Sequence, residues 1–92
     1  YIIDIVAEQF NITPEEIKSS VKSRRISYPR QIVMYLCRTM TSNNLQAIAE
    51  SIGVQNHTTI IYGINKIDKD YKTKPETKEV VDLLKKKISP EG

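Results

Sequence analysis

Cysteine, histidine and tryptophan are nearly absent from this chain, which has one Cys, one His and no Trp. A lone Cys37 forms no intrachain disulfide and gives no cysteine cluster that holds a metal. His57 has no carboxylate or cysteine at ligand spacing, so no metal site is expected. With 3 Gly and 4 Pro the chain is not loop-rich or collagen-like. It lacks a run of about 20 apolar residues and the layout of a signal peptide, so a cytoplasmic protein without membrane contact is expected. Catalytic patterns are missing too. There are no paired carboxylates on one face, no glycine-rich phosphate loop, and no Ser or Cys beside a plausible base, so no enzymatic activity is expected.

The most informative absence is one of negative charge. From Ile17 through Ala49 there is no Asp or Glu, while Lys18, Lys22, Arg24, Arg25, Arg30 and Arg38 give that stretch +6. The rest of the chain is net acidic, so the overall +3 conceals a strongly cationic middle third. Such asymmetry points to a polyanionic partner more strongly than the total charge does.

What is present suits one domain over residues 1–92. Ninety-two residues are too few for a barrel or doubly wound enzyme, which takes roughly 200 or more. A hydrophobic share of 39% with 27% charged residues supports one core and is not the composition of a disordered chain. The chain starts at Tyr1 and not at Met, so a piece of a longer protein is expected. No internal repeat or low-complexity tract is visible.

Apolar spacing predicts an all-α fold of five to six helices. Ile2, Ile3, Val6 and Phe10 mark a first helix ending near Asn11. Thr13-Pro14-Glu15-Glu16 has the form of a capping box with proline at the first helical position, opening a short helix to about Ser20. Residues 21–28 read as an exposed basic loop. Pro29 then opens a third helix with Ile32, Val33, Leu36, Cys37 and Met40 as its stripe, and Cys37 is expected to pack inward. Leu45, Ile48, Ala49 and Ile52 form the inner face of a fourth helix stopped at Gly53. Ile60, Ile61, Ile64, Ile67 and Tyr71 line a fifth. Val80, Val81, Leu84 and Ile88 mark the last, with Lys85 to Lys87 complementing its dipole.

Residues 45–71 match a helix-turn-helix. Gly53 suits the positive φ of the turn, and Ala49 is small where the helices approach. The isoleucines arrive late after Gly53, so the turn is longer than usual and Asn56 becomes the N-cap of the second helix. Asn56, His57, Thr58 and Thr59 then occupy its first turn, opposite the isoleucines. The N-terminal residues of a recognition helix read base edges: Asn pairs with adenine, and Thr methyls touch thymine methyls. The alternative is that Asn56 only caps and the hydroxyls are solvated, and spacing alone does not choose. Lys22, Arg24, Arg25, Arg30 and Gln31 form a second feature. Arg30 and Gln31 would lie in the first turn of a helix, where free N–H groups favour a phosphate. An Arg-rich loop can enter a minor groove beside a helix in the major groove. Tyr28, Tyr35 and Tyr62 are further phosphate candidates. The other reading is a helical interaction module whose basic face docks an acidic protein.

Pro29-Arg30-Gln31-Ile32-Val33-Met34-Tyr35-Leu36 and Gly53-x-x-Asn56-His57-Thr58-Thr59-Ile60-Ile61 resemble the C-terminal DNA-binding domain (domain IV) of the DnaA family of bacterial chromosomal replication initiators. The resemblance covers nearly the whole chain. It implies a Trp-repressor-like helix-turn-helix, residence in the cytoplasm at the nucleoid, and binding, as an isolated monomer, to A/T-rich duplex boxes at the replication origin. His57, Thr58 and Thr59 match the family's major-groove readers, and Asn56 stands where many members have an Asp that reads a cytosine amino group. Lys22, flanked by Arg24 and Arg25, matches the minor-groove arginine. Arg38 and Thr41 match phosphate contacts, and Leu45 and Gln46 match a pair that touches thymine methyls, Gln46 standing where Pro is frequent. Gln55 replaces a common Arg and Val54 a common Gly, which leaves room for a related regulator with a different box preference. The family's ATP site belongs to a separate AAA+ module, so no cofactor is implied for this stretch.

Overall fold

The computed structural model describes residues 1–90, and among them six helices and no strand: α1 (Ile2–Gln9), α2 (Pro14–Ile17), α3 (Arg24–Met40), α4 (Leu45–Ile52), α5 (His57–Thr73) and α6 (Pro75–Ile88). None is long and apolar enough to cross a membrane. All the other helices contact α3, whose Ile26, Ile32, Val33, Met34, Leu36 and Cys37 are buried in a shared apolar core.

The start of the chain folds as its spacing predicts. Ile2, Val6 and Ala7 bury one face of α1, and Asn11 takes the left-handed φ of 55° that turns the chain away. The capping box forms: the Glu16 N–H donates to Thr13 Oγ1 at 3.1 Å, and Glu16 Oε1 accepts from the Thr13 N–H at 2.9 Å. This helix is one turn long, ending at Ile17 and not at Ser20.

Two expectations about the basic segment are overturned. The loop does not run to Tyr28, and Pro29 does not open α3, which begins at Arg24 after an extended Ser23. The reason lies in burial upstream of the proline. Ile26 and Pro29 are both buried and continue the spacing of Ile32, Val33 and Leu36 backwards by two turns. Pro29 therefore sits inside the helix, where it removes only the N–H that would bond the Arg25 carbonyl. Tyr28 is helical and not part of a loop. Its hydroxyl pairs with Thr77 Oγ1 at 2.9 Å and its ring meets Phe10 edge-on at 5.9 Å, so it is a packing residue. Tyr35 is buried against Tyr71, with ring centroids 6.3 Å apart.

Arg30 is the larger correction. It is the seventh residue of α3, not a first-turn residue, and it is 8% exposed. Its guanidinium donates to four main-chain carbonyls: Nε to Ile17 at 2.7 Å, Nη1 to Val21 at 2.8 Å, and Nη2 to Ser19 at 2.8 Å and Glu16 at 3.3 Å. These are the orphan carbonyls at the end of α2 and those of the loop after it. Burial pushes the guanidinium below its ordinary pKa, but an arginine stays charged, so the cost is offset by charge-assisted hydrogen bonds. Arg30 thus holds loop 18–22 in shape and has little left to give a phosphate.

The helix-turn-helix closes through Gly53, at φ 80°, whose N–H bonds the Ala49 carbonyl at 2.9 Å. Ile48, Ala49 and Ile52 are buried beneath it. In α5 the inner face is Ile60, Gly63, Ile67 and Asp70. Gly63 is required by close approach to α3, since a Cβ there would stand 2.5 Å from Met34 Sδ. Ile61, expected inside, is 44% exposed. At the back, α6 is docked by the Tyr71 hydroxyl donating to Asp82 at 2.7 Å, and Lys85 lies 5.1 Å from the Tyr71 ring centre.

Arg30→Ala is expected to destabilise the chain by about 2–4 kcal/mol in urea or thermal unfolding, because the buried Ile17 carbonyl and the part-buried Ser19 and Val21 carbonyls lose their donor. Arg30→Lys should recover little of this, since one ammonium cannot replace a planar fork.

Candidate nucleic-acid interface

The first turn of α5 is the centre of the candidate interface. Asn56 is the N-cap: its Oδ1 accepts from the Thr58 N–H at 2.9 Å, in an extended backbone with φ −96° and ψ 114°. The cap is therefore built, and the second lone pair of Oδ1 and the amide N–H groups remain for a partner. His57, Thr58 and Thr59 are all exposed. Two neighbours extend this face: Tyr62, a phosphate candidate from the sequence, and Ile61, which the sequence placed inside. Tyr62 is 61% exposed and Ile61 lies beside it, four residues after Thr58 and His57 and so on the same face. That i+4 relation was the available signal, but the run of isoleucines in the sequence drew Ile61 inward.

The N-terminus of α4 meets this turn. Gln46 is exposed, and its Oε1 lies 3.1 Å from His57 Nε2. Leu45 is half-buried at the same helix start, where Asn44 caps by accepting from the Ala47 N–H at 2.9 Å. Leu45, Gln46 and His57 to Thr59 thus gather around one corner of the helix-turn-helix.

The basic loop reaches the same corner from the other side. A groove of about 490 Å³ is lined by Lys18, Lys22, Gln31, Gly53, Thr59 and Tyr62 among others, so it joins loop, turn and recognition helix. The turn packs against the loop: a Cβ on Gly53 would stand 3.3 Å from the Lys18 carbonyl. Gln31 is half-buried at this groove, not at a helix N-terminus.

The three basic side chains proposed for groove entry are not equivalent. Arg25 pairs with Glu16 at 2.8 Å. Hydrogen bonds from the Thr13 N–H first, and from Arg25 second, hold the Glu16 carboxyl below its ordinary pKa, so it is ionised at neutral pH and partly neutralises Arg25. Arg24 lies over the Tyr28 ring at 4.8 Å. Among the described residues only Lys22 of the three has no ion-pair or ring partner. Arg38 and Thr41 lie at the C-terminal end of α3, away from the basic segment at its start. A rise of 1.5 Å per residue puts Arg38 about 20 Å from Arg25 along the helix axis. Arg38 is exposed, while the Thr41 hydroxyl donates to the Cys37 carbonyl.

Comparison with known proteins agrees with this geometry. The family described as "Bacterial dnaA protein helix-turn-helix" matches residues 1–67. A relative named "Chromosomal replication initiator protein DnaA", from Lachnoclostridium phytofermentans (strain ATCC 700394 / DSM 18823 / ISDg), is 46% identical over 89 residues, covering 97% of this chain and 20% of the relative. This chain therefore spans about a fifth of the length of that curated relative. A solved structure described as the crystal structure of DNA replication initiation factor superposes with a TM-score of 0.84 at 35% identity, over 94% of this chain and 26% of the other. An all-helical fold whose outward-facing helix start carries Asn56-His57-Thr58-Thr59, matched in these comparisons, shows that this chain belongs to the bacterial DnaA family and is its helix-turn-helix.

Proposed function

We propose that the chain binds duplex DNA sequence-specifically, at A/T-rich boxes of a replication origin, and performs no chemistry of its own. The observation that carries this reading is the exposed first turn of α5, joined by one groove to the unpaired Lys22 arm. A helix start of this kind enters the major groove, while a neighbouring cation follows the backbone into the minor groove.

The roles divide by geometry. His57, Thr58, Thr59 and Asn56 meet base edges, with Ile61 and Tyr62 continuing the same face one turn further on. Leu45 and Gln46 approach from α4. Lys22 is the side chain that enters the minor groove, because Arg24 and Arg25 are tethered to Tyr28 and Glu16. Arg38 and Thr41 extend the phosphate contacts along the duplex. Arg30 acts indirectly, by shaping the loop that carries Lys22. The isolated chain works as a monomer at the nucleoid in the cytoplasm, and nucleotide binding belongs to another module of the longer relatives.

With about five phosphates neutralised, the logarithm of affinity should fall against the logarithm of salt with a slope of roughly −4 to −5. A flat salt response would sink the proposal. Selection from random duplexes should return one A/T-rich consensus, whereas an interaction module would return none. Thr58→Ala should lose about 1–3 kcal/mol of discrimination at one base pair, measured by titrating selected and scrambled duplexes. Equal losses on both would show that Thr58 reads nothing.

A further inference from the structure

We infer that Glu50, a residue outside every group above, is a positioning residue that fixes the proton of His57 through Gln46. The inference rests on the proposal that His57 meets a base. Gln46 and Glu50 lie one turn apart on the exposed side of α4, and the Gln46 Nε2 donates to Glu50 Oε1 at 2.7 Å. A carboxylate only accepts, so it must face the amide N–H₂ of Gln46, and the amide orientation is decided by chemistry. The Gln46 carbonyl oxygen is then turned toward His57, where it stands 3.1 Å from Nε2. That oxygen also only accepts. Nε2 must therefore carry the hydrogen, which leaves Nδ1 of the neutral ring as an acceptor.

This order of bonds turns an ambiguous ring into a defined one. An unfixed imidazole can present either nitrogen as donor or acceptor and tolerates several base edges. A ring whose Nδ1 accepts selects an amino group, which in the major groove is offered by adenine and by cytosine and not by thymine or guanine. Glu50 contributes to sequence choice without touching DNA, and as an anion near a polyanion it weakens non-specific attraction at the same time.

Two measurements separate positioning from charge. His57 is the only histidine, so the long-range proton–nitrogen correlation spectrum of its ring needs no assignment. At a pH where the ring is neutral, the wild-type chain should show the proton on Nε2, and Glu50→Ala should shift the ring nitrogens toward the tautomer mixture of free histidine. Identical ring shifts in the two chains would overturn the relay. In binding, Glu50→Ala should lower the ratio of selected to random duplex affinity by roughly two- to tenfold, the range of one exposed hydrogen bond. In a His57→Ala background, Glu50→Ala should leave the ratio unchanged, and an undiminished effect there also refutes it. His57→Ala by itself tests the underlying reading: if the ratio survives that change, His57 meets no base, whatever the ring spectrum shows.

Discussion

The face of this molecule depends on a cation with no anion beside it. Arg30 reaches from the middle of α3 into the loop after α2 and collects the carbonyls of Glu16, Ile17, Ser19 and Val21. The Glu16 oxygen also accepts from the Ser19 N–H and hydroxyl, whereas those of Ile17, Ser19 and Val21 depend on the guanidinium, because a helix of one turn has no internal donor for them. One planar fork ends α2, bends the loop and ties both to the central helix. A carboxylate partner for Arg30 would make a salt bridge but leave the carbonyls unmet. The carboxylate-free window from Ile17 to Ala49 therefore serves the interior as well as the surface.

The carboxylates that bound that window matter as much as their absence within it. Glu16, one residue before it, caps α2 and pairs with Arg25. Glu50, one residue after it, holds the Gln46 amide that faces His57. Each anion touches the cationic or reading surface at its edge, and each constrains a side chain that would otherwise be loose. The charge count along the chain suggests an uninterrupted basic arm. The fold instead distributes it, with Arg30 inside, Arg24 over a ring, Arg25 in a pair and Lys22 left to solvent.

Local rules decided some features outright. The capping box at Thr13, the N-cap at Asn56, the left-handed Gly53 and the inner faces of α1 and α4 follow from a few neighbouring residues, because their energies come from bonds and contacts within one or two turns. The outward direction of His57 to Thr59 follows from that cap and the helical period. Rules of the same kind failed at Pro29, because a proline as helix opener is a preference of the backbone alone. Burial of Ile26 against the core outweighed it and moved the start of α3 upstream from Pro29 to Arg24. They failed again at Ile61, where an isoleucine among isoleucines takes whichever side α5 turns to solvent.

What the sequence by itself determined was the helical class, the caps at Thr13, Asn44 and Asn56, the turn at Gly53 and the outward placing of His57 to Thr59, all set by short-range spacing and by a strong family pattern. What only the tertiary structure decided was the fate of individual charges and polar tips: Arg30 as an internal clamp, Lys22 as the free arm, Tyr28 as packing, and the chain of bonds from Glu50 through Gln46 to His57. Those outcomes depend on which groups from distant turns arrive within about 3 Å of one another, the reach of a hydrogen bond. Helical periodicity brings Gln46 to Glu50, four residues apart, but it does not encode the contacts of Arg30 with the loop or of Gln46 with His57.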